Sequence, residues 1–226
     1  MFNSEVCMKI VNSPKFIVFA AFAALFGLMP LSPAMAADLT PPELQIEEAS
    51  NKLKVKMQDP GFTKDFKQIT EFVEQTIYPH VDFDRISALV LGKNWKNANE
   101  EEKKQFTREF QTLLVRTYSR AFIEFKDWSV KFLPLSKDEN PSKVVVNTEV
   151  LQPGKKPIAV NYRMLESNGE WKAYDITIEG VSLVTNYRSS FKTEIEKTGS
   201  LASVIESLVK RNKEALAKDP LAKEAS

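Results

Sequence analysis

The chain has 226 residues, with 31 basic against 30 acidic side chains, one histidine and one cysteine. Charge this balanced, with no basic stripe, argues against nucleic-acid binding, and so few thiols and imidazoles argue against a Cys/His zinc site or a disulfide framework. Fifteen phenylalanines and a hydrophobic fraction of 43% are instead material for a large core or an apolar cavity.

The first segment reads as an export leader. Lys9 and Lys15 precede an uncharged run from Phe16 to Met29, which is short against the roughly 20 apolar residues of a membrane span. Pro30 and Pro33 break it, and Ala34-Met35-Ala36 offers the small residues of a cleavage site, so residues 1–36 are expected to be removed. The alternative, a retained anchor, is disfavoured by the same prolines. Cleavage also removes Cys7, leaving a chain without thiols of about 190 residues, the size of a single domain.

Thr40-Pro41-Pro42-Glu43 predicts a capped helix start, with the helix running to about Lys56 before Asp59-Pro60-Gly61. A second helix is expected from Thr63 to Tyr78, on the face Phe66, Ile69, Phe72, Val73 and Ile77. A short helix from Asp82 to Gly92 follows. The longest begins near Asn97–Asn99, with Glu100, Glu101 and Glu102 at its positive end, and carries Phe106, Phe110, Leu113, Leu114, Thr117, Ala121, Phe122 and Phe125 on a wide apolar face.

The period then changes to two. Val130 and Phe132 alternate with Ser129 and Lys131. Val144, Val146, Thr148 and Val150 share a face, as do Ile158, Val160, Tyr162 and Met164, and as Tyr174, Ile176 and Ile178 should, opposite Asp175 and Thr177. Gly154 and Ser167-Asn168-Gly169 mark turns short enough to require antiparallel neighbours. Gly180 ends the last strand. A helix from Val181 to Lys197 and another through Leu201, Val204, Ile205, Leu208 and Val209 complete the pattern, and residues 213–226 read as a polar tail. The expected fold is α+β: an antiparallel sheet of about four strands, covered on one face by helices, forming a cone with an apolar pocket.

Catalytic signals are weak. His80, in Tyr78-Pro79-His80-Val81-Asp82-Phe83, reads as a surface or capping residue, and neither a G-x-S-x-G turn nor a phosphate-cradling glycine loop is present. Asp175 and Glu179, on or near the last strand, are two groups a paired-acid hydrolase could use, yet carboxylates here mostly alternate with apolar residues as a solvated face does. No catalytic residue and no metal site is assigned.

Trp171-Lys172-Ala173-Tyr174-Asp175-Ile176, then Ile178-Glu179-Gly180-Val181-Ser182-Leu183, then Asn186-Tyr187-Arg188 and Phe191 resemble the MlaC / toluene-tolerance family. Tyr78-Pro79 with Asp82-Phe83, Gly92 with Trp95, Phe106 with Phe110, and Tyr118 agree in order and spacing. The resemblance spans residues 42–210; Ile86 departs from it, standing where Met is common. It implies an NTF2-like cone with added helices, a phospholipid-binding domain over residues 37–212, and a periplasmic carrier rather than an enzyme. Phospholipid would be its cargo, with no cofactor. The implied partners are an inner-membrane ABC transporter bearing an MCE-domain protein and an outer-membrane lipoprotein complex, in the service of outer-membrane lipid asymmetry. A monomer is the expected state.

A carrier of this kind needs an apolar pocket without specific tail contacts. The lining is assigned to Phe110, Leu114, Tyr118, Val144, Val146, Ile158, Val160, Tyr162, Ile176 and Leu183, with Arg188 and Lys172 at the mouth beside the headgroup. Two alternatives remain at this stage. An enzyme on the same cone, acting on a small apolar substrate, would need an inward acid with a raised pKa. A periplasmic carrier or chaperone for lipoproteins would need a broad open groove.

Overall fold

The structure, a computed structural model, describes residues 38–124 and 127–217, with the side chains of 119–124 and 137 left out. The leader at 1–36, Cys7, Phe125 and the end of the polar tail lie outside the described residues, as do the side chains of Ala121 and Phe122.

Helix α1 (Pro41–Lys56) starts as its sequence requires, with the Thr40 amide and hydroxyl both donating to the Glu43 carboxylate, at 2.8 and 2.6 Å. A 3₁₀ turn (Phe62–Lys64) precedes α2 (Phe66–Thr76), because Asp65 takes the cap by accepting from the Lys67 and Gln68 amides. A second 3₁₀ turn (Tyr78–His80) leads to α3 (Phe83–Leu91), capped by Asp82 and ended at Gly92. The short α4 (Lys93–Asn97) was not expected. Asn99 and Glu102 then exchange hydrogen bonds across the start of α5 (Glu100–Glu124).

Strands β1 (Ser129–Lys137), β2 (Lys143–Leu151), β3 (Ile158–Ser167), β4 (Glu170–Ile178) and β5 (Val181–Ser182) form an antiparallel meander in chain order. The fifth strand is one more than expected. It arises because Glu179 (φ 48°) and Gly180 (φ 83°) make a two-residue turn that sends the chain back along β4. Asn168 and Gly169 turn β3 into β4 in the same way. Ser182 caps α6 (Leu183–Thr198), which ends at left-handed Gly199, and α7 (Leu201–Ala217) continues past Lys213.

The register sets one face of the sheet. Val144, Val146, Thr148 and Val150 stand opposite Met164, Tyr162, Val160 and Ile158, and Tyr162 and Val160 stand opposite Ile176 and Ile178. One expectation fails here. Arg163 pairs with Asp175 and Met164 with Ala173, so Tyr174 is an extra residue in a β-bulge. The bulge turns Tyr174 to the other face, where the guanidinium of Arg163 lies 5.4 Å and that of Arg85 6.0 Å from its ring. Asp175 does not belong to a solvated face either. It is 4% exposed and accepts from the Ser182 hydroxyl (2.7 Å) and the Val184 amide (3.1 Å), which ties the start of α6 to β4.

Most of the buried apolar residues fall into three clusters. Phe106 and Phe110 of α5 join Ile86, Val90, Phe191, Val204 and Leu208 among the helices. Val115, on another side of α5, joins Phe62, Phe66 and Ile69. On the sheet, Val146, Met164 and Ala173 pack under Ile46 of α1.

Candidate functional site

Six of the assigned lining residues, Val144, Val146, Ile158, Val160, Tyr162 and Ile176, come together on the inner face of the sheet. Val146 and Val160 are buried there, while Val144, Ile158, Tyr162 and Ile176 keep partial exposure. Phe110 and Leu114 stand in the helical cluster, and Phe110 is 1% exposed, packed against Phe106, Tyr187 and Phe191 at centroid distances of 5.6, 5.0 and 5.7 Å. Tyr118 meets Tyr187, and burial pushes its phenol up to about 12. Leu183, half-buried, opens α6.

Only one end of the inner face is roofed by α1. Ile46 covers Val146, Met164 and Ala173, and Phe132, Leu135 and Trp171 close around it. Ile158, Ile176, Ile178, Val130 and Val150, toward the other end, stay half-buried and belong to none of the three clusters. Apolar side chains left incompletely covered forfeit contacts on one side unless something else supplies them.

Tyr162 stands between the two ends, packed against the Ile46 cluster. Burial pushes its phenol up to about 12, with the Thr148 hydroxyl opposing the shift, and the ring stays only partly covered. Thr148 is 0% exposed and its hydroxyl donates to the Val160 carbonyl at 2.7 Å. These two supply the hydroxyls of a largely apolar face. Thr148, Phe132, Trp171 and Ile46 were not among the assigned lining residues. Thr148 and Phe132 carried the right alternation, but nothing in the sequence pointed Ile46 at the sheet.

The two residues assigned to the mouth are placed apart from this face. Lys172 stands opposite Leu165 on the other face of the sheet, 3.5 Å from Glu170. Arg188 is exposed on α6, with its guanidinium over Gly92. Glu179 accepts from the Ala159 amide at 2.6 Å, and His80 Nδ1 lies 2.6 Å from Gln45 Nε2. Each of the polar groups weighed for catalysis therefore has a partner within the fold.

Two open surface grooves lie elsewhere, one of 470 Å³ beside Val55 and Phe72, the other of 790 Å³ along the first turns of α5 beside Trp95. Neither is lined by any of the half-covered strand residues. Among the described residues no cluster of His, Cys, Asp and Glu could hold a metal ion, and no helix is long and apolar enough to cross a membrane.

Residues 47–210 match the family model described as MlaC protein. The chain is 21% identical over 187 residues to the intermembrane phospholipid transport system binding protein MlaC of Haemophilus influenzae, covering 81% of this chain and 84% of that protein. It is 23% identical over 123 residues to the toluene tolerance protein ttg2D of Pseudomonas putida, covering 54% and 57%. A solved structure of a phospholipid-binding protein from Ralstonia solanacearum, in complex with a phospholipid, superposes with a TM-score of 0.73 at 28% identity, over 81% of this chain and 100% of that one.

Proposed function

The chain belongs to the MlaC family, and from that premise we propose that it is a periplasmic carrier, exported by its leader, that holds the acyl chains of a phospholipid between the inner face of the sheet and the helices. The observation that carries this reading is Tyr162, on the inner face of the sheet and only partly covered. The half-covered Ile158 and Ile176 beside it extend the same lining. The phospholipid bound to the Ralstonia protein supports the choice of cargo.

The energetics suit a shuttle. A diacyl lipid has on the order of 30 methylenes, each worth about 0.8 kcal/mol on burial, which keeps the free lipid out of water. A membrane buries the same methylenes. Moving lipid from bilayer to protein therefore cancels most of that term and leaves a transfer that is nearly neutral. Direction must come from the partners, for which the family implies an inner-membrane ABC transporter with an MCE-domain protein and an outer-membrane lipoprotein complex. The protein's own part is to bind, shield and release, with no covalent step.

Purification of the exported chain, organic extraction and mass spectrometry test this. Diacyl phospholipid should be recovered in close to stoichiometric amount. Val160→Glu places a charge on the inner face, and Ile158→Glu does so at a less covered position; both should lose the lipid. A folded variant that still retains lipid, by thermal melt and extraction together, would remove these residues from the lining, and a wild-type chain free of lipid would defeat the carrier reading.

A further inference from the structure

Val146 lies on the inner side of the sheet, yet it is 0% exposed beneath Ile46 of α1, which covers Met164 and Ala173 as well. An acyl chain reaches these residues only if Ile46 leaves them. The hold on α1 is uneven along its length. At the C-terminal end Met57, just past the helix, packs against the cluster of Phe62 and Phe66, and Lys56 Nζ lies 5.4 Å from the Phe62 ring. The Asp59-Pro60-Gly61 turn follows, closed by the Gly61 amide donating to Asp59 Oδ1 at 2.8 Å.

Toward the N-terminal end, Pro42 and Glu43 are covered, but the Glu43 carboxylate accepts from Thr40 within the helix's own cap. Among the described residues, a single hydrogen bond joins α1 to an element beyond the turn, from Gln45 Nε2 to His80 Nδ1 at 2.6 Å. That latch is incomplete, because Gln45 Oε1 is buried with no partner among the described residues. An unpaired buried carbonyl favours any state that returns it to water. Ile46 supplies the opposing grip through apolar contact, which an acyl chain in the same place would replace.

We infer that α1 is a lid, hinged at residues 57–61, which swings Ile46 off Val146, Met164 and Ala173 to admit the acyl chains. The inference rests on the carrier reading above and names the element that moves. A terminal helix anchored at one end, with a half-satisfied amide as its polar latch at the other, suits the low-stability part of a site that must open.

The test bridges Gln45→Cys and His80→Cys in a chain that also carries Cys7→Ser, so that no other thiol is present. The bridge is a short bis-maleimide with a reducible disulfide at its centre, formed on delipidated protein. Uptake from vesicles of phosphatidylethanolamine and phosphatidylglycerol is followed by extraction and mass spectrometry. The bridged chain should load at least about tenfold more slowly than the same chain after reduction, because the lock removes the open minor state through which lipid enters. A second readout needs no substitution: in lipid-free wild type, amide exchange should open α1 as one unit, ahead of α2 and the strands. A bridged chain that loads as fast as its reduced form, or an α1 protected as strongly as β3, overturns the lid and leaves the carrier intact. A wild-type chain that takes up no lipid overturns the carrier reading and the lid with it. Amide exchange decides the question even if the bridged variant folds poorly.

Discussion

Tyr162 shows how a single residue reports on the space around it. Its phenol rises from the ordinary 10.0 to about 12 because burial penalises the phenolate. The consequence for stability has a definite sign. Above pH 10 the unfolded chain ionises this phenol while the folded chain keeps it protonated, so the folded state binds more protons there and loses stability as pH rises toward 12. Tyr118 shifts in the same direction for the same reason. Denaturant midpoints should therefore fall steadily across that interval, and Tyr162→Phe should flatten the fall. A midpoint independent of pH over the same range would contradict the burial. The alternation around Tyr162 already put it on the inward side. Asp175, by contrast, could not be placed from its neighbours, because the groups that bury it, Ser182 and Val184, belong to a chain reversal farther along.

At the level of elements, starts and stops were the readable part. Thr40 with Glu43, Asp82, and Gly199 act through their nearest neighbours, and each ends or begins its helix where local chemistry demands. Bulges were not readable. Counting by twos runs straight through Tyr174, and only the pairing with β3 shows that one residue has been skipped. Helix α1 hid its orientation for another reason: Ile46 and Leu53 face inward while Leu44 and Val55 remain 49% and 68% exposed, so apolar residues lie on opposed sides. Gly92 offers a sharper test at this scale. Its φ of 56° with ψ of −118° links α3 to α4, and a Cβ would meet Arg188 Nη2 at 3.4 Å. Gly92→Ala should destabilise by about 1–3 kcal/mol, chiefly through backbone strain. Arg188→Ala in the same chain should restore little of it, since a flexible guanidinium can move and the backbone cannot. Thermal unfolding of the single and double variants decides between strain and crowding.

For the molecule as a whole, the carrier reading makes ligand and stability linked quantities. Lipid that binds the folded state alone should stabilise it by about 2.7 kcal/mol when present at a hundredfold excess over its Kd. Stripping lipid from the protein should lower its unfolding temperature, and adding it back should restore the original value; an unfolding temperature indifferent to lipid would place the cargo outside the fold. By itself the sequence determined the α+β class, the capped helices, the antiparallel strands with their apolar sides, and the family, because each is written in short-range periodicity and spacing. The tertiary structure alone decided which strand residues α1 covers, that β5 exists, that Asp175 is buried, and that Lys172 and Arg188 stand away from the inner face. The physical reason is that a packed wall and a cavity wall are built from the same alternating apolar residues. What separates them is whether a distant segment fills the space between, and that depends on how far apart the sheet and the helices are held.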